Sequence, residues 1–150
     1  MLKGNLIHPQ ILEALGRAGH ASRILIADGN YPAATTLSPS AKLVSLNLSP
    51  GIVTCTDVLG ALLTAVPIEA AAVMAYHTTG PYALQEPPPI WAEFDRLLNQ
   101  SGAQVELEAV ERFEFYAQAQ QPDVCLTIAT ADQRVYANLL LTIGVIMPPS

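Results

Sequence analysis

Few side chains in this sequence combine reactive chemistry with a setting that could use it. His20 follows Gly19, and an imidazole can take and return a proton near neutral pH. Asp28 opens the run Asp28-Gly29-Asn30-Tyr31-Pro32 directly after an apolar stretch. A carboxylate there can accept hydrogen bonds from hydroxyl groups, and an asparagine such as Asn138 offers both donor and acceptor. Arg112 carries a fixed positive charge, and Tyr136 joins an apolar ring to a hydroxyl. Each also has an ordinary explanation. His20 suits the C-terminal end of a helix, where the dipole favours a cation. Asp-Gly-Asn is a common turn. Arg112, between Glu111 and Glu114, reads as a solvated helix charge, and Tyr136 and Asn138 suit a strand edge. No single one of them decides a function.

Other chemistries find less support. His8 and His77 lie in no supporting pattern, and three unspaced histidines do not make a zinc site. Gly16-x-x-Gly19 follows a helical rather than an extended segment, so it is not a dinucleotide fingerprint. Cys55 and Cys125 are too few for a disulfide framework and read as reduced packing residues of a cytoplasmic protein. A formal charge of −6 with only seven scattered Lys and Arg disfavours nucleic acid, whose phosphates need clustered cations. The start of the sequence builds no apolar signal core before Pro9, and Leu139 to Met147 is too short to span a bilayer, so no membrane association is expected.

The elements that must position these residues follow from periodicity. Pro9 suits the first position of a helix whose Ile11, Leu12 and Leu15 share a face, with Gly16 and Gly19 as stop signals before His20. Arg23 to Ala27 is apolar on both alternating sets, as in a strand buried on both faces. Strand length alone then separates His20 from Asp28 by about 25 Å at ~3.3 Å per residue. Using both in one site requires a bent path or a site shared by neighbouring subunits. Leu43 to Leu48 alternates as a strand; Thr56 or Asp57 can cap a helix carrying Val58, Leu59, Leu62, Leu63 and Val66. Ala70 to Tyr76 is a second buried strand. Residues 77–89 form a loop that could act as a lid, and Pro89 opens a helix carrying Trp91 and Phe94. Trp91 and Phe94 at that spacing read as core. Gln104 to Val110 alternates, Glu111 to Gln121 is helical, and Val124 to Ala129 and Tyr136 to Val145 are strands. Asp132-Gln133-Arg134 is a polar turn. This order predicts a single domain, residues 1–150, folded as a three-layer α/β/α sandwich on a largely parallel or mixed sheet. Ligands gather beyond the carboxyl ends of such strands, which points to Asp28 and Asn30.

Five blocks, in order, carry a resemblance. They are Met1-Leu2-Lys3-Gly4, Gly19-His20, Ala27-Asp28-Gly29-Asn30-Tyr31-Pro32-Ala33, Arg112-Phe113-Glu114-Phe115-Tyr116, and Tyr136-Ala137-Asn138-Leu139-Leu140-Leu141 with Gly144-Val145. Together they resemble the fucose mutarotase and ribose pyranase family. The resemblance implies a ring-forming homo-oligomer of three-layer α/β subunits, sites between adjacent subunits, and interconversion of the anomers of a free monosaccharide. It casts His20 as proton donor, with Tyr136 beside it, and Asp28, Arg112 and Asn138 as sugar ligands. Tyr116 matches a pocket aromatic of the fucose branch. Arg112 and Phe115-Tyr116 are similar to the fucose type, whereas Ala137 is similar to the ribose type. The chemistry needs no metal, nucleotide or redox cofactor, so none is expected. A non-catalytic sugar-binding or scaffold protein of the same fold is the competing reading.

Overall fold

A computed structural model describes residues 1–150, all of them as helix, strand or defined loop. The chain runs α1 (Pro9–Arg17), β1 (Arg23–Ala27), β2 (Lys42–Ser45), α2 (Cys55–Leu63), β3 (Ile68–Met74), α3 (Pro89–Gln100), β4 (Leu107–Val110), α4 (Arg112–Ala119), β5 (Val124–Ala129) and β6 (Leu139–Ile143). The six strands form one sheet in the order β2-β5-β1-β6-β3-β4. β5 pairs in parallel with β1 and β2, and β3 with β4; β6 runs antiparallel between β1 and β3. The sheet is mixed, and one antiparallel strand joins its two parallel halves.

Both faces are covered, which explains the uninterrupted apolar runs of the central strands. Ile24, Ile26, Leu126, Ile128, Leu139 and Leu141 pack in one cluster with Ile11 of α1, Leu59 and Leu62 of α2, and Phe94 and Leu98 of α3. Leu25, Ala27, Ala72, Met74 and Leu140 form a second cluster with Phe115 and Ala119 of α4 and with Tyr31. Three helices therefore lie on one face and one short helix on the other, giving the three layers. Phe94 and Phe115 are each wholly buried, one per face, so truncating either to Ala costs about 3–5 kcal/mol.

The caps refine the boundaries. His8 caps α1, its Nδ1 accepting from the Ile11 N–H at 3.4 Å, and Pro9 is the first helical residue. α2 is capped by Thr54 rather than Thr56 or Asp57. The Thr54 hydroxyl accepts from the Asp57 N–H, and the Asp57 carboxylate accepts from the Thr54 N–H, a reciprocal capping box. The last strand starts at Leu139, so Tyr136 and Asn138 sit in the approach to it, with Tyr136 at φ 56°. That left-handed backbone keeps residues 136–138 out of the ladder. No helix is long and apolar enough to cross a membrane.

Candidate functional site

The antiparallel pairing of β1 with β6 decides what meets Asp28. With Ile26 opposite Leu139, the segment entering β6 lies beside the segment leaving β1. The contact is a ring of hydrogen bonds. Asn138 Oδ1 accepts from the Asp28 N–H at 2.8 Å, and Asp28 Oδ2 accepts from the Ala137 N–H at 3.2 Å. Asp28 Oδ1 accepts from the Asn30 N–H at 2.9 Å, closing an Asx turn. Gly29 donates its N–H to the Asp132 carbonyl, and a Cβ at that position would stand 3.1 Å from the same oxygen. Glycine is therefore favoured by close approach, since any side chain would need that carbonyl to give by a few tenths of an ångström. Asp28 is 5% exposed; burial pushes its carboxyl above the ordinary carboxylate range, against the pull of these backbone donors.

Tyr136 is held from three directions. Trp91 Nε1 donates to its carbonyl at 3.1 Å. Its hydroxyl donates to the Tyr82 carbonyl at 2.9 Å and accepts from the His77 N–H at 3.2 Å. Its ring meets Tyr76 edge-on, and Tyr76 in turn meets Trp91. From the other side, α4 presents Arg112 at its first position. The Arg112 guanidinium donates from Nε to the Tyr116 hydroxyl at 3.3 Å and lies over the Tyr116 and Phe113 rings at 5.6 and 5.5 Å. The Tyr116 hydroxyl, as hydrogen-bond partner, keeps Arg112 firmly protonated.

Asp28, Arg112, Tyr116, Tyr136 and Asn138 all face one cavity of ≈ 450 Å³, with Asn30, Tyr31, Met74, His77, Tyr82 and Val135 completing the wall. Burial pushes the Tyr31 phenol up to about 12, so it stays neutral. A buried carboxylate, a guanidinium, a primary amide and tyrosine rings suit a small, neutral, hydroxyl-rich ligand. A second cavity of ≈ 450 Å³, along Asn47–Pro50 and Thr130–Gln133, meets the first at Asn30. Its one titratable wall residue, Asp132, is already bound by Arg134 and the Cys55 N–H. No cluster of three metal-ligating side chains occurs.

His20 lies elsewhere. It precedes β1, at the sheet end opposite Asp28, beside the start of β3 and the end of β6. There its Nε2 stands 2.9 and 3.0 Å from the two oxygens of Glu69. Its side chain is 55% exposed, so the imidazole is open to an approaching molecule. Gly144 makes room for this pair, since a Cβ there would stand 3.3 Å from Glu69 Cβ. Within one chain, the fold brings five of the six expected residues together and leaves His20 apart.

With this geometry in place, comparison with known proteins narrows the reading. Residues 1–146 match the family described as the RbsD / FucU transport protein family. The chain belongs to that family. Among its relatives, the fucose mutarotase of Danio rerio is 31% identical, with 99% of this chain and 96% of the relative covered. The fucose mutarotase of Homo sapiens is 30% identical over 94% of this chain and 90% of its own. The fucose mutarotase of Streptococcus pneumoniae, solved in complex with L-fucose, shares the RbsD / FucU fold at a TM-score of 0.77 and 23% identity, covering 94% of this chain and 95% of that one.

Glu69, His77 and Trp91 escaped the sequence reading. Glu69 is the one charged residue in an apolar strand, and its meeting with His20 depends on three strands ending together. His77 carries no local pattern at all. Trp91 looks like core because its ring is packed, and only the indole N–H, aimed at a backbone carbonyl distant in sequence, reveals its second task. The Asp132–Arg134 turn likewise proves to be a partly buried ion pair.

Proposed function

We propose that this chain is a cofactor-independent aldose mutarotase that interconverts the α and β anomers of a free monosaccharide, L-fucose or a close relative. The observation that carries the reading is the convergence of Asp28, Arg112, Tyr116, Tyr136 and Asn138 on one cavity. In this reaction a base removes the anomeric hydroxyl proton while an acid protonates the ring oxygen. The C1–O5 bond breaks, the open aldehyde rotates, and O5 attacks its other face as both protons return. Asp28 and Asn138 hold hydroxyls, Arg112 steadies negative charge developing on oxygen, and Tyr136 shields a sugar face. Arg112 and Tyr116 favour a fucose-type sugar over ribose.

The proton donor is His20 of a neighbouring copy, in a ring-shaped homo-oligomer that we place in the cytoplasm. Support comes from the open placement of the imidazole and from its carboxylate partner, which fixes the ring in place. Large exposed apolar side chains, among them Leu2, Ile146 and Met147, suit contact between copies. The competing reading is a sugar-binding or scaffold protein without catalysis.

Saturation-transfer NMR of anomeric protons on fucose, galactose and ribose separates the two. The intact protein accelerates exchange, His20→Ala abolishes the acceleration, and Glu69→Gln weakens it. Co-assembly of His20→Ala chains with Asp28→Ala chains restores part of it, because mixed junctions carry both groups. Binding of a sugar that leaves its exchange at the spontaneous rate would instead establish the non-catalytic reading.

A further inference from the structure

The three histidines have three different settings. His8 caps α1, His20 pairs with Glu69, and His77 alone of the three lines the cavity that holds Asp28, Arg112 and Asn138. The backbone of residue 77 is fixed by the site itself. Its N–H donates to the Tyr136 hydroxyl at 3.2 Å, and its carbonyl accepts from the Leu84 N–H at 2.8 Å. The same hydroxyl donates to the Tyr82 carbonyl at 2.9 Å. The loop after β3 is thus pinned at two points where the Tyr136 ring enters the cavity. His77 projects from a fixed point rather than a free one.

The remaining polar groups define what that imidazole can do. Both Asp28 oxygens accept backbone N–H groups, Asn138 Oδ1 accepts another, and the Tyr136 hydroxyl already donates one bond and accepts one. The His77 ring makes no hydrogen bond within the chain. With the Tyr82 hydroxyl, it is one of two uncommitted side-chain polar groups beside Tyr136 on the cavity wall. A neutral imidazole offers one donor and one acceptor, the complement of a hydroxyl that also does both. We infer that His77 is a sugar-binding, specificity-determining residue that hydrogen-bonds one hydroxyl of the monosaccharide from the loop after β3. The inference rests on the mutarotase reading and adds to it a second histidine with a different task. His77 holds the sugar, and the proton transfer stays with His20.

The test uses the assembled protein and leaves the backbone bond to Tyr136 in place. Anomer exchange is measured for the natural chain, His77→Ala and His77→Asn, with L-fucose and a set of its monodeoxy derivatives. Loss of one neutral hydrogen bond raises KM for L-fucose about tenfold in His77→Ala while kcat stays within about twofold. His77→Asn, whose amide still donates and accepts, recovers much of the loss. With the one deoxy sugar that lacks the contacted hydroxyl, the natural chain and His77→Ala have the same KM. Thermal unfolding of His77→Ala matches the natural chain, because the imidazole supports no internal hydrogen bond.

Equal KM values for L-fucose in the natural chain and His77→Ala overturn the inference. So does a penalty of the same size for every deoxy sugar, which would mark a distorted loop. A fall in kcat with KM unchanged overturns it too, by making His77 a proton-transfer group. If the natural chain itself accelerates no exchange, the mutarotase reading has failed and this inference falls with it.

Discussion

Arg134→Met should destabilise the protein by about 2–3 kcal/mol at pH 7, and by progressively less as the solution is made acidic. Asp132 is 1% exposed, so its carboxylate depends on its partners. Arg134 supplies two side-chain donors, Nε at 2.9 Å and a terminal nitrogen at 2.7 Å, and also binds Glu93 and Thr56. Removing one partner of a fully buried pair costs about 3–5 kcal/mol. The Arg134 side chain is 37% exposed, and Asp132 keeps the N–H groups of Cys55 and Arg134, so the cost falls below that range, to about 2–3 kcal/mol. For a chain of this length that is a fall in Tm of roughly 4–12 °C. The pH dependence discriminates further. Burial pushes the Asp132 carboxyl up, but Arg134 and the backbone donors hold it below its ordinary 3.8. That contribution is present above pH 3.8 and is lost as pH falls through the lower folded-state value. Without Arg134, burial prevails and the folded-state value rises, so the variant is penalised at neutral pH and relieved on acidification. Urea unfolding at fixed protein concentration, followed by the fluorescence of Trp91, the one tryptophan, gives both numbers. The double variant Asp132→Asn with Arg134→Met recovers part of the loss, because no charge is left buried. A gap under about 0.5 kcal/mol, or one that widens between pH 7 and pH 4, would refute the reasoning.

Two further outcomes follow from the same interior. Trp91→Phe keeps the packed ring but removes the donor to the Tyr136 carbonyl; kcat/KM for anomer exchange falls about tenfold, while stability by circular dichroism drops by only about 1 kcal/mol. Unchanged kcat/KM would mean that the left-handed Tyr136 needs no such brace. Burial pushes the Cys55 thiol from 9.0 up to about 12, with its hydroxyl partner Thr130 opposing. A raised value contributes stability below pH 9 that is lost as pH climbs through about 12, roughly 4 kcal/mol in all. At pH 8 a thiol reagent labels half-buried Cys125 well before Cys55; equal rates would contradict the burial of Cys55.

How much of this was legible beforehand depended on the range of the forces involved. β1 was readable to the residue because burial on both faces leaves no polar position in Ile24 to Ala27. α4 and the Asp28 turn were readable because helix and turn preferences act over a few residues. The α2 cap was displaced to Thr54 because Asp57, the reciprocal half of the capping box, is itself a good cap. β6 starts later than its apolar pattern suggests, for a different reason. Tyr136 to Leu141 is as apolar as a strand, but the Asn138 side chain satisfies the Asp28 N–H and the Trp91 indole holds the Tyr136 carbonyl, and those bonds cross 110 and 45 residues of chain. No local pattern encodes them.

His20 shows the same limit from the opposite side. It stands close to Asp28 in sequence, yet β1 runs between them and delivers the two to opposite ends of the sheet. Nearness along a chain therefore says least about nearness in space when a strand lies between. The proposed reaction needs the His20 imidazole beside a sugar that Asp28 holds, and a hydrogen-bonded central strand cannot bend to bring it there. On the proposed reading His20 arrives from a second copy, whose His20 end meets the cavity of the first. On that account assembly is part of the catalytic apparatus, and a variant that separates the copies without touching the cavity should still bind sugar while losing its effect on anomer exchange.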